Sequence, residues 1–211
     1  MEGWKNGNIS PDSFVFYLLS NPMDSAKHLE IELKFTLKNP NETLEFLRQH
    51  GEFIKESFQK DTYFLPPNQN FLAEKPTITK WLRVRASDKG NSITYKDWSI
   101  IDGVNQDCCS EYEIHIDSVE SAMKLFGVLD IQPIVIVNKK RKLFTYQGVE
   151  IAVDEVDELG RFIEFEAKGE FASIENARDH LYTIADDMGA QLDAQDQKGY
   201  PYVLLERQGL I

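Results

Sequence analysis

The sequence predicts an α+β fold: a closed or nearly closed antiparallel β-barrel of eight strands, a tunnel with helices packed outside it. Three observations predict it. Eight short segments alternate apolar and polar residues with period two, as half-buried strands do. Only three segments carry the 3.6-residue spacing of amphipathic helices. Finally, in several strands the polar face is purely acidic or purely basic, whereas ordinary surface strands mix the two signs.

The chain has 211 residues and 42% hydrophobic content, within the range of one domain with a sizeable core. Residues 1–27 contain Gly3, Asn6, Gly7, Asn8, Ser10, Pro11 and Pro22, a composition of turns, and are expected to form an N-terminal extension to a domain over 28–211. Their apolar run, Phe14 to Leu19, is too short for a bilayer and follows Pro11 and Asp12 rather than a basic segment.

The first strand is expected at 29–37. A helix follows from Asn39 and Pro40, a cap and an N1 proline, to Gly51, with Leu44, Leu47 and Ile54 on its buried side. Strands are expected at 60–65, 79–87, 92–98 and 110–116. A second helix starts at Asp117 with Glu120 three residues on, and aligns Val119, Ala122, Met123 and Phe126. Strands at 133–145, 149–155 and 161–167 precede a third helix, Ser173 to Gly189, that buries Ile174, Ala177, Leu181, Ile184 and Met188.

A net charge of −12 argues against a general nucleic-acid or anionic-membrane surface, which needs clustered Lys and Arg. An anionic ligand would need a local basic site. The adjacent Cys108 and Cys109 make a poor disulfide and fall in a polar loop, 105–110, where they read as incidental. A reducing, cytoplasmic setting is expected. His28, His50, His115 and His180 lack zinc-site spacing, although His115 shares the parity of Glu111 and Glu113.

The charged faces are the informative feature. Glu30, Glu32 and Lys34 share one face of the first strand, opposite Leu29, Ile31, Leu33 and Phe35. Arg83 and Arg85 share a face, as do Glu111 and Glu113, Lys139 and Arg141, Glu150 and Asp154, and Glu164 and Glu166; Lys96 follows Ser92 and Thr94. A single such strand usually presents a solvated surface. In a barrel with amphipathic helices outside, however, the apolar faces are needed to seat the helices, so the charged faces turn inward. A lumen this charged must be wet and filled by counter-charges, because isolated buried ions cost several kcal/mol each. Magnesium or manganese suits the carboxylates, and a polyphosphate suits Arg and Lys.

Glu30-Ile-Glu32-Leu-Lys34 resembles the ExExK signature of the CYTH, or triphosphate tunnel metalloenzyme, superfamily. Arg83-Val-Arg85, Lys96, Glu111-Tyr-Glu113, Lys139-Lys-Arg141, Asp154 and Glu164-Phe-Glu166 follow in the order of that superfamily's strands. Asp61-Thr-Tyr-Phe64, Leu159-Gly160-Arg161-Phe162 and Gly199-Tyr-Pro-Tyr-Val-Leu-Leu205 resemble the members grouped with class IV adenylyl cyclases. The chain departs from some of those cyclases, which carry a His-Phe pair several residues before ExExK, in having only His28-Leu29.

The resemblance implies that Glu30, Glu32, Asp154, Glu164 and Glu166 hold magnesium or manganese, with Glu111 and Glu113 placed to serve either with these metal ligands or at the triphosphate. It implies that Lys34, Arg83, Arg85, Lys96, Lys139 and Arg141 clasp a triphosphate. Glu30, Glu32 and Lys34 stand as the catalytic set. The expected function is a metal-dependent triphosphate-processing enzyme, first an adenylyl cyclase making cyclic AMP and pyrophosphate from ATP. Alternatives are a hydrolase of thiamine triphosphate, inorganic tripolyphosphate or a nucleoside triphosphate, and a polyphosphate- or nucleotide-binding module without turnover, which would need fewer carboxylates. The expected partner is a small-molecule triphosphate, with no nucleic acid and no membrane; the reading leaves room for a homodimer.

Overall fold

The computed structural model of the chain describes residues 29–74, 78–98, 108–169, 171–188, 192–195 and 198–211. The expected extension at 1–27, His28, the loop residues 100–106 and the helix stop at Gly189 lie outside them.

Strand β1 (Leu29–Leu37) leads through helix α1 (Pro40–His50) into β2 (Glu52–Leu65). Then come β3 (Lys80–Ser87), β4 (Asn91–Asp97), β5 (Cys108–Ile116), α2 (Val119–Val128), β6 (Gln132–Tyr146), β7 (Val149–Val156) and β8 (Gly160–Ala167). Helix α3 (Ile174–Asp187), the short β9 (Leu192–Gln195) and α4 (Tyr200–Arg207) complete the described chain. The strands pair antiparallel in the order β5-β4-β3-β2-β6-β7-β8-β1, and β1 returns to β5 through Leu29↔Ser110, Glu30↔Cys109 and Ile31↔Cys108. The eight-stranded barrel is therefore closed, with β9 attached beside β1.

Period-two alternation sets the layers. Leu33, Phe35, Ile151, Val153, Ile163 and Phe165 point out of the barrel and are buried against Leu181, Ile184, Ala185 and Met188 of α3 and Leu47 of α1. Phe64 and Val84 meet Phe126 of α2, the two phenyl rings edge to face at 4.9 Å. The helices thus cover apolar outer faces and leave the charged faces to the lumen.

Local signals explain the boundaries and correct several expectations. Helix α1 stops at Gly51, where a Cβ would lie 2.9 Å from the Leu47 carbonyl oxygen, and the chain turns directly into β2. Strand β2 therefore begins eight residues before the expected 60. Ile54 is not on the buried side of a helix: it is 45% exposed, at a register shift between Phe53↔Phe144 and Lys55↔Leu143. Helix α2 is capped by Ser118, whose hydroxyl oxygen accepts the Ser121 N–H at 3.1 Å, so Asp117 lies one residue outside. Ser173 caps α3 in the same way through Asn176 N–H.

Sequence reading missed β9 and α4. Along the inward face of β6, Val135 and Val137 precede Lys139 and Arg141, so the lumen turns apolar towards one end. Tyr63, Trp81, Val135, Val137, Val156 and Phe162 form that end, and Tyr200, Leu204 and Leu205 of α4 pack into it. Helix α4 is a plug that leaves the charged half as the remaining space.

Candidate active site

The remaining lumen is a cavity of about 340 Å³, at the lower end of the size range of small-molecule sites. Its wall includes Glu30, Glu32 and Lys34 from β1, Arg83 and Arg85 from β3, Lys96 from β4, Glu111 and Glu113 from β5, Lys139 and Arg141 from β6, and Glu164 and Glu166 from β8. The structure thus brings twelve of the thirteen expected site residues to one cavity; the thirteenth, Asp154, lies beneath its wall.

Asp154 is 0% exposed, and its two oxygens accept Arg141 Nε and Nη2 at 2.7 and 2.6 Å. The Tyr200 hydroxyl donates to it at 3.0 Å, and Lys139 Nζ lies 3.4 Å away. The Arg141 guanidinium, first among the charges opposing burial, holds the Asp154 carboxyl below its ordinary value. In this arrangement Asp154 orients the basic wall from behind. Arg141 also donates to Glu164, which in turn lies 3.0 Å from Lys34.

A second buried aspartate does the same work opposite. Asp61, 1% exposed, accepts Arg85 Nε and Nη2 at 2.7 Å each and lies 3.6 Å from Arg83. Both guanidiniums hold its carboxyl far below the ordinary range, against burial. Asp61 opens the Asp61-Thr-Tyr-Phe64 motif, but the sequence assigns it no role, because a single acid between Lys60 and Thr62 defines no charged face. Its parity with Gln59 and Tyr63 on β2 was the available signal.

Arg83 donates Nη2 to Thr94 at 2.9 Å, and Thr94 donates its hydroxyl to Glu113 at 2.9 Å. The Arg83 Nε is buried without a hydrogen-bond partner. Burial, reinforced by Arg141, pulls Lys139 down to about 8. Its ammonium and that of Lys34 lie 5.2 and 4.5 Å from the Tyr200 ring centroid, so the plug helix supplies an aromatic floor beneath two lysines.

The opposite wall is acidic. Lys96 Nζ sits among Glu111 at 2.6 Å, Glu30 at 2.7 Å and Glu32 at 3.7 Å. Burial opposes the charge on Glu30, but Lys96 outweighs it and holds that carboxyl at about 2. Burial pushes Glu111 up to about 7, and burial with the adjacent Glu30 pushes Glu166 up to about 7. Carboxylates crowded until some resist ionisation are a donor set that a divalent cation would relieve. Ligand atoms of Glu30, Cys109 and Glu111 all lie within 4.8 Å of one another. The residues present therefore fit a hard cation at this wall. Cys109, expected to be an incidental loop residue, is instead a buried residue of β5 whose Sγ lies 3.8 Å from Glu30, because strand closure on β1 pairs those two positions. His115, like its neighbour Ile114, is exposed near the end of β5.

Comparison with known proteins agrees with this fold. Residues 28–200 match the CYTH domain, and the chain belongs to that family. A Methanocaldococcus jannaschii protein named as a putative adenylate cyclase is 30% identical over 139 residues, 65% of this chain and 76% of that protein. A conserved hypothetical protein from Pyrococcus furiosus has a similar structure, with TM-score 0.67 and 26% identity over 81% of this chain and 97% of that one. A Hippeastrum protein, described as a putative adenylyl cyclase with a dominant triphosphatase activity, shares the fold with TM-score 0.56 and 15% identity over 85% of this chain and 96% of its own. None of the helices among the described residues is long and apolar enough to cross a membrane.

Proposed function

We propose that the protein is a metal-dependent enzyme that binds a triphosphate in the charged lumen and converts ATP to cyclic AMP and pyrophosphate. The observation that carries this reading is the opposition of two walls. Carboxylates crowd one side, and four basic groups, each braced by a buried aspartate, stand on the other.

Arg83, Arg85, Lys139 and Arg141 clasp the phosphoryl oxygens, and Asp61 and Asp154 keep the guanidiniums aimed before the substrate arrives. Lys34 and Lys96 join them at the boundary with the acidic wall. Glu30, Glu32, Glu111 and Glu166, with Glu113 and Glu164 beside them, would hold magnesium or manganese, which would neutralise charge on the phosphoryl oxygens. Cyclisation forms the bond from the ribose 3′-oxygen to the α-phosphorus and breaks the bond from that phosphorus to the oxygen bridging it to the β-phosphate, while the 3′-hydroxyl proton passes to water or to the leaving pyrophosphate. Pyrophosphate leaves, and the basic wall stabilises the charge it gathers. Lys139, near 8, can hold or release a proton at Nζ around neutral pH.

The adenylate cyclase naming of the Methanocaldococcus relative supports cyclisation. Hydrolysis is the second reading, because the Hippeastrum protein carries a dominant triphosphatase activity on the same fold. Chromatographic analysis of products from ATP with magnesium or manganese separates the two. Cyclic AMP with an equal amount of pyrophosphate supports the proposal, and phosphate with ADP contradicts cyclisation while keeping the site.

A further inference from the structure

The cavity wall holds four aromatic side chains, Tyr63, Trp81, Trp98 and Tyr200. All four pack in or against the apolar cluster at the plugged end of the lumen. Tyr63 and Trp81 are buried and stacked edge to face at 5.6 Å, and Tyr200 is buried with its hydroxyl on Asp154. Trp98 differs in being only half-buried. It follows β4 two residues after Lys96, so both side chains share the inward face, roughly 7 Å apart along the strand.

The rim around Trp98 is held in place. Its backbone N–H donates to the Thr79 carbonyl at 2.9 Å, and its side chain packs against the apolar cluster that includes the buried Ile78. Glu74 pins the same segment: its carboxylate accepts the Thr79 N–H and hydroxyl at 2.9 Å each and the Lys80 ammonium at 2.7 Å. The Lys96 ammonium lies 5.6 Å from the indole centroid, which joins the charged lumen to this rim. An inorganic polyphosphate has no use for an indole and an isoleucine beside its site, whereas a heterocycle attached to a triphosphate does.

We infer that Trp98, backed by Ile78, is the stacking platform for the heteroaromatic end of an organic triphosphate, and that the substrate class is therefore a heterocycle-bearing triphosphate rather than inorganic tripolyphosphate. This rests on the reading of the lumen as a triphosphate site. Phosphate oxygens on Lys96 and Arg83 place a ring carried by a short sugar or alkyl spacer within reach of the indole.

The test is calorimetric titration of the full chain, with magnesium present, by two non-cleavable ligands: an ATP analogue with methylene groups in place of both bridging oxygens of its triphosphate, and tripolyphosphate modified in the same way. Wild type should bind the ATP analogue roughly tenfold or more tighter, the worth of one base stacked on an aromatic ring. Trp98→Ala should erase that advantage while leaving affinity for the tripolyphosphate analogue within about twofold, and Trp98→Phe should restore most of it. Equal weakening of both ligands by Trp98→Ala, or no effect on either, would overturn the platform assignment while leaving the triphosphate site intact. Failure of wild type to bind either ligand would overturn the triphosphate reading itself.

Discussion

Arg141 and Asp154 are joined by a two-point fork at 2.7 and 2.6 Å, with the carboxylate wholly buried and a third donor, the Tyr200 hydroxyl, on the same group. Such a pair is weak evidence of stability taken as a unit, but removing one partner strands the other charge. Asp154→Asn is expected to cost about 3 kcal/mol in urea denaturation and to weaken triphosphate binding, because Arg141 and Lys139 lose their brace. A variant as stable as wild type, with unchanged affinity, would show that the fork is incidental.

Arg83 lines the cavity and lies 3.6 Å from Asp61, while Arg85 alone makes the fork on that aspartate. Arg83→Ala should therefore fold and should bind triphosphate roughly tenfold to hundredfold more weakly, the value of one or two hydrogen bonds to a charged group. Titration calorimetry checks this. Wild-type affinity would make Arg83 a purely structural residue.

The acidic wall gives a pH dependence whose sign is fixed. Glu111 and Glu166 sit at about 7 in the folded chain against an ordinary 4.5, so the folded state binds protons that the unfolded chain has lost. The stability they contribute is full below about 4.5 and disappears as pH rises through about 7. Metal-free protein should melt at a higher temperature near pH 6 than near pH 8. Saturating magnesium or manganese should flatten that slope by raising the melting temperature most at the higher pH. A metal-free melting temperature that rises with pH over this window, or that ignores both ions, would contradict the assignment of these carboxylates as a metal-binding wall.

Leu205 tests the plug. It is fully buried among the apolar residues that α4 fills, so Leu205→Ala should cost roughly 2–5 kcal/mol. Because the same helix carries Tyr200, catalytic rate should fall as well, even at temperatures where the variant stays folded. Unchanged stability would mean that α4 does not close the barrel.

Much of this was legible because alternation is rigid. Once Glu30, Glu32 and Lys34 share a face, so must Leu33 and Phe35 on the other, and the helices decide which side is out. The sequence was silent where chemistry changes without a change of parity. Val135 and Val137 lie on the same inward face as Lys139 and Arg141, so nothing local marks the boundary between the plugged and the charged lumen. The plug itself is an eight-residue helix whose burial depends on that distant face. The first half of β2 is mostly polar and exposed, which hides a strand following a helix. Asp61 and Cys109 acquire their surroundings only through β2–β3 pairing and through closure of β1 on β5, contacts between residues far apart in the chain.

If the carboxylates of the lumen hold a metal needed for turnover of a triphosphate, Glu32→Gln should remove that turnover. Glu32 lies 3.7 Å from both Lys34 and Lys96, and relieving one charge in a crowded acidic wall should leave the fold intact. Product formation from ATP, thiamine triphosphate and tripolyphosphate should be measured for both proteins with magnesium and with manganese, alongside thermal unfolding. Metal-dependent turnover by wild type and its loss in a normally folded Glu32→Gln variant are expected; equal turnover by the two proteins, or turnover by wild type that persists without a divalent cation, would mean that these carboxylates hold no catalytic metal.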